Sequence, residues 1–204
     1  MRKNFIIAGF MLASAVLLGA CGGNDSMPGM SSSSSAASPA PSSAQAEAGH
    51  NADDVTFVQQ MIPHHSQALD MAKLVPSRST NPKVLDLASR IEKAQDPEIQ
   101  QMHGWLSTWG AGMPGMSSQS MPGMSGSMPG MMSDADLKQL GAAKGAEFDK
   151  MWLDMMIKHH QGAIDMAKTE LTKGANADAK ALAQKIIDAQ QAEITEMRGL
   201  LTQG

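Results

Sequence analysis

From residue 54 to 106 and again from 149 to 201, apolar side chains recur every three or four positions, the period of an α-helix rather than of a strand. Leu87, Ile91, Ala94, Glu98, Met102 and Trp105 fall on one face at those steps. The two stretches match each other at a constant offset of 95 with no gap. Phe57 falls on Trp152, His64-His65 on His159-His160, Asp70-Met71-Ala72-Lys73 on Asp165-Met166-Ala167-Lys168, and 87–106 on 182–201. One helical hairpin is therefore used twice.

Helix boundaries follow from local chemistry. Asn81-Pro82 and Ser133-Asp134 read as helix starts, with a capping side chain or a first-turn proline, and Gly174 reads as a stop just before Asn176. Pro63 and Pro97 lie inside the helical pattern where the second copy has Lys158 and Ala192, and are expected to kink their helices rather than end them. Two hairpins joined by a long connection predict an all-α fold, a ferritin-like four-helix bundle. The connection, 110–133, is rich in helix breakers and nearly uncharged, and reads as a flexible loop.

The first fifty residues have no such periodicity. Arg2 and Lys3 precede a mostly apolar run, 5–18, closed by Leu18-Gly19-Ala20-Cys21, the pattern of a lipoprotein signal. That run is short of the ~20 residues a membrane-spanning helix needs. The Ser/Ala/Pro-rich segment after Cys21 has too little apolar surface to offset the entropy of ordering, and reads as a disordered tether. The predicted organisation is a signal peptide over 1–20, a tether over 21–50 and a bundle over 51–204. Within the bundle the first repeat is 51–108, the loop 109–133 and the second repeat 134–204.

Composition narrows the function. Cys21 is the only cysteine, so a chain lipidated there has neither thiol nor disulfide to use. A formal net charge of −4 provides no basic surface for nucleic acid. Methionine, by contrast, occurs 19 times.

On a helical wheel with Met61 at zero, His64 and Met71 lie at about −60° and −80° and His65 at about +40°, with alanines between them. Two imidazoles and two thioethers thus share one arc, and Met156, His159, His160 and Met166 repeat it. The partner helices carry Glu98 and Met102, and Glu193 and Met197, on their apolar faces, beside Gln95 and Gln190. A carboxylate there is costly to bury unless a facing histidine or a metal partners it. Asp70 and Asp165 point off the arc, His50 and His103 read as solvated, and Met151 and Met155 as core filler.

Di-iron bundles place Glu-x-x-His on their helices, whereas this chain has Met-x-x-His at Met61/His64 and Met156/His159. Thioether with imidazole is a soft donor set that favours Cu(I) and, by the same softness, Ag(I). The sequence MPGM at 27–30, 113–116, 121–124 and 128–131 adds a second, weaker class of thioether in the loop: Met113, Met116, Met121, Met124, Met128, Met131 and the adjoining Met132. Thioethers suit an exported protein because they form no disulfides.

The string Asp54, Phe57, Met61, His64-His65, Ala68, Met71-Ala72, repeated from Asp149 and Trp152 to Ala167, resembles the marker of the bacterial domain of unknown function 305, DUF305. The resemblance implies a ferritin-like four-helix bundle, and the family's better-understood exported members, of the CopM type, bind copper and silver. The MPGM segments are additions to the family pattern.

The expected function is that of a non-enzymatic, lipid-anchored protein of the cell envelope that sequesters Cu(I) or Ag(I) or passes it to a partner protein. Its expected partners are the metal ions and, through Cys21, a membrane. The alternative is a metal-dependent oxidase or ferroxidase on the same frame, which needs paired inward carboxylates, and Glu98 and Glu193 offer one per half. No nucleophile with an adjacent base is visible. Replacing Cys21 by Ser is expected to move the protein from the membrane fraction to the soluble one; retention with the signal uncleaved would identify the apolar run as an anchor.

Overall fold

The computed structural model describes residues 49–113 and 128–202. The signal, most of the tether, Cys21, Met116, Met121 and Met124 lie outside them. Helices α1 (Ala52–Arg78), α2 (Pro82–Thr108), α4 (Gly145–Lys173) and α5 (Ala177–Leu201) form a four-helix bundle, and α3 (Asp134–Ala142) is a short helix ahead of the second hairpin. Each start is chemically marked. The Asn51 side chain accepts the Asp53 and Asp54 N–H groups at 2.9 and 3.0 Å, while Asp54 accepts the Asn51 N–H in return at 2.5 Å. Asn81 with Pro82 opens α2, and Asn176 opens α5 by accepting from Ala179.

Two details depart from the sequence reading. Ser133 caps a helix, but only the nine-residue α3; the long helix begins afresh at Gly145, whose φ of +59° turns the chain after the extended Ala143 and Lys144. The repeat itself carried this signal, because its first matched residue is Asp149. Helix α1 also runs through a second proline, Pro76, besides Pro63, and α2 runs through Pro97.

Helix α1 packs along α2 and α4 along α5, and the hairpins join chiefly through α1 against α4, which run antiparallel. Asp54 meets the α4–α5 turn, His64 meets His159, and the buried Trp152 donates its indole N–H to the Met71 carbonyl at 3.1 Å. His64 and His159 are equivalent positions of the repeat, so an approximate twofold axis passes between their rings. Around this crossing the apolar core lies in two clusters. One holds Met71, Leu87, Ile91, Trp152, Met156 and Met197, the other Phe57, Met61, Met102, Met166, Leu182 and Ile186. Deleting a core side chain as large as these typically costs about 2–5 kcal/mol.

The twofold relation fails at one end. Asp54 accepts the backbone N–H of Asn176 at 2.9 Å and of Ala175 at 3.0 Å, which fastens the start of α1 to the α4–α5 turn. Against it lies Glu170, where the first copy has Val75. Glu170 is buried and neither of its oxygens meets a donor from another residue. Burial, then the neighbouring Asp54, pushes its pKa up to about 8, so it keeps its proton at neutral pH and donates to Asp54. Burial would also raise Asp54, but the Glu170 hydroxyl and the backbone N–H groups outweigh it and hold Asp54 below the ordinary carboxylate range.

The sign of the linkage follows. An unfolded Glu170 loses its proton near 4.5 and the folded one near 8, so between these values the folded state binds more protons and stability falls as pH rises. Glu170→Gln removes that ionisation. The thermal midpoint of the parent chain is therefore expected to drop between pH 6 and 9 more steeply than that of the variant; parallel curves by circular dichroism would refute the shared proton.

Candidate metal centre

The two His-His pairs converge on the α1–α4 crossing, and all four imidazoles are 0 % exposed. They divide into two kinds. His65 and His160 each bond across their own hairpin: His65 Nε2 lies 2.9 Å from Glu98 Oε2, and His160 Nε2 lies 2.7 Å from Glu193 Oε2. The facing histidine is thus the partner that each inward carboxylate requires. Burial works to raise the Glu98 pKa, but His65, then Lys185 from α5 at 3.2 Å, outweigh it and hold Glu98 below its ordinary range. Burial lowers His160 despite the opposing pull of Glu193, so its ring is neutral at pH 7. A neutral ring whose Nε2–H is donated to a carboxylate presents Nδ1 as a bare lone pair, the arrangement by which carboxylates orient metal-ligating histidines.

His64 and His159 face each other across the axis, with ring centroids 3.8 Å apart and planes at 39°. His64 donates Nε2–H to the Pro129 carbonyl at 3.0 Å, which fixes the tautomer and leaves Nδ1 as the acceptor. Neither nitrogen of His159 has a hydrogen-bond partner, and Nδ1 is unpartnered in His64, His65 and His160 as well. Desolvation first, and then the neighbouring histidines, drive both rings toward neutrality. His64 falls to about 3, and His159 lies well below its ordinary value. Loss of a metal by histidine protonation at pH 5–6, the ordinary expectation for imidazole, therefore does not apply to these buried rings.

Thioethers are buried on the same helices. Met61, Met71, Met102, Met156 and Met197 are fully buried and Met166 is 7 % exposed. Among the described residues no three His, Cys, Asp or Glu side chains converge as a ready-made cation site, so thioethers are the donors that could complete one around the imidazoles. Buried polar atoms without partners typically cost about 1–3 kcal/mol each. A soft cation on any of these Nδ1 lone pairs would relieve its cost, and imidazole with thioether is in its chemistry a donor set that fits Cu(I) or Ag(I).

The sequence reading did not anticipate where the end of the loop goes. Residues 128–132 lie as a strap across the α1–α4 crossing. Pro129 receives the His64 bond, and Gln67 clasps Met132 by donating to its carbonyl at 2.9 Å and accepting its N–H at 2.7 Å. Gly130, at φ +77°, sits against the carbonyls of Lys158 and His159, and a Cβ on Gly162 would overlap the Pro129 carbonyl. Gln67 and Gly162 are equivalent positions of the repeat, so the two copies differ where both seat the strap; that mismatch was the available signal. Of the loop methionines, Met132 is buried in the bundle, Met128 and Met131 are half-buried on it, and Met113 packs at the edge of the cluster holding Met61. His103, Asp70 and Asp165 are exposed. His50 is half-buried, its ring stacked on Trp109 at 4.7 Å.

Beside the strap, between α1 and α4, a cavity of about 230 Å³ is lined by Asp53, Asp165 and Glu170 as well as Phe57, Pro129 and Met166. Met166 is thereby the one of the six duplicated methionines named above that borders it. Among the described residues no helix is long and apolar enough to cross a membrane.

Several known proteins share this architecture. A DUF305 protein of Streptomyces coelicolor, described as a candidate secreted protein, superposes with a TM-score of 0.67 at 33 % identity, over 74 % of this chain and 93 % of its own. CopM in its Cu(II)-bound form gives a TM-score of 0.64 at 32 % identity, over 74 % of this chain and 96 % of that one. The Cu(I)-bound form gives 0.60 at 30 %, and an Ag-bound form 0.58 at 29 %. A curated protein, the uncharacterized protein L153 of Acanthamoeba polyphaga mimivirus, is 39 % identical over 54 residues, 26 % of this chain; the match spans only about a third of that protein's length, 36 %. The model of the domain of unknown function DUF305 matches residues 54–201, from the Asp54 that fastens α1 to the end of α5, and the chain belongs to that family.

Proposed function

We propose that this chain is a non-enzymatic protein of the cell envelope, lipid-anchored at Cys21, that takes up Cu(I), and Ag(I) with it, and stores it or passes it to a partner protein. The observation that carries this reading is the set of buried imidazoles at the α1–α4 crossing, with unpartnered Nδ1 atoms and thioethers on the same helices. Relatives of the same fold, at about 30 % identity, were crystallised as copper- and silver-bound forms of CopM.

Physical chemistry favours the soft ions. Neutral imidazole and thioether carry no charge to offset the desolvation of a divalent hard cation, but they match the polarisability of a monovalent d10 ion. Glu98 and Glu193, engaged with His65 and His160, act on this reading as orienting groups. Because His64 and His159 stay neutral well below the ordinary imidazole range, protons compete weakly for them.

Competition titrations are expected to show Cu(I) or Ag(I) bound ahead of Fe(II) or Mn(II). Replacing His64, His65, His159 and His160 by alanine should weaken uptake at least about tenfold, roughly 1.4 kcal/mol or more. Met61→Leu with Met156→Leu, which keeps core volume, should weaken it in the same direction. Uptake by the parent chain at pH 5 should stay close to that at pH 7.5. Iron bound at two per chain with oxygen consumption on reduction would instead establish the oxidase alternative.

A further inference from the structure

The duplicated thioethers form two groups exchanged by the twofold axis. Met71, Met156 and Met197 belong to one buried cluster; their counterparts Met166, Met61 and Met102 belong to the other. Duplication alone would make the two poles alike, but the strap makes them different. Met132, which lies outside the repeat, is 6 % exposed and belongs to the cluster of Met71, Met156 and Met197. Both polar atoms of Gln67 hold its backbone alongside the stretch of α1 between His64 and Met71. At the equivalent place in the other copy, Gly162 is covered by the Pro129 and Gly130 backbone. The poles differ in access as well. Met71 is 0 % exposed, whereas its counterpart Met166 borders the cavity with Asp53, Asp165 and Glu170 on its wall.

We propose that Met132 completes a buried thioether site with Met71, Met156 and Met197, where the other pole has only the half-buried Met113 at its edge, so that one pole holds a soft monovalent cation tightly behind the strap while the other, at Met166, exchanges it through the cavity. The inference rests on the metal-binding reading above. A thioether is a weak, uncharged donor, so affinity depends on how many are gathered, and one already seated costs no ordering entropy on binding. An ion behind the strap leaves only after bonds to Gln67 and His64 break, which slows dissociation. At the open pole, the Asp53 and Asp165 carboxylates, within a Debye length of the cavity mouth, raise the local cation concentration and favour rapid exchange.

The test is an Ag(I) titration of the full chain against a competing chelator, with dissociation followed by stopped flow. The parent chain is expected to show two classes separated at least about tenfold in affinity. Met132→Leu, which conserves volume, should weaken the tighter, slower class about tenfold and leave the faster class and the thermal midpoint unchanged. Gly162→Ala, which displaces the strap and removes no thioether, should weaken the same class, and Met166→Leu only the other. A single class of equal sites in the parent overturns the inference, as does a Met132→Leu chain with both classes intact. If Gly162→Ala weakens the tight class and Met132→Leu does not, the strap is a cover and Met132 no ligand, which also overturns it. A parent chain that binds no Ag(I) at all refutes instead the metal-binding reading itself.

Discussion

The crossing of α1 and α4 at His64 and His159 governs this molecule. Two imidazoles 3.8 Å apart, with no water-accessible surface, can be buried there only as neutral rings, because two charged ones would repel each other in a medium that screens little. Neutrality turns them into donors of lone pairs. The same contact joins the two hairpins, since α2 and α5 touch each other only slightly. Fold and chemistry therefore share one contact: the place where the halves of the bundle meet is also where unpartnered nitrogen is concentrated.

Around that contact the four histidines take two roles. His65 and His160 are held by carboxylates of their own hairpins, which fixes ring orientation and gives the buried Glu98 and the half-buried Glu193 the partner each requires. His64 and His159 have no such carboxylate; one is held by a backbone carbonyl of the strap and the other by packing alone. The outer pair is thus fixed by charged partners, and the inner pair by a single backbone bond and packing.

The strap shows how a symmetric duplication becomes an asymmetric protein. Gln67 and Gly162 occupy the same position of the repeated unit. One supplies two hydrogen bonds to the strap and the other supplies the space in which its backbone lies. Val75 and Glu170 are another such pair, the latter placing a protonated carboxyl against Asp54 and on the wall of the cavity. Each divergence lies on the α1–α4 face and changes what the two ends of the bundle offer a ligand.

The helices, their duplication and the donor types are legible along the chain, because helical period, capping residues and side-chain chemistry are local properties that need no knowledge of what packs against what. The sequence located the arc of Met61, His64, His65 and Met71 and its copy, and the requirement that Glu98 and Glu193 have partners. It placed the start of the second hairpin too early, at Ser133, since a capping box looks the same before a nine-residue helix as before a long one. Packing alone sets His64 against His159, carries those two rings far from their solution behaviour by burial, and draws Met132 out of the loop into the core. Those outcomes depend on distances between residues 65 or 95 positions apart and on the exclusion of water between them, and no local pattern along the chain encodes either.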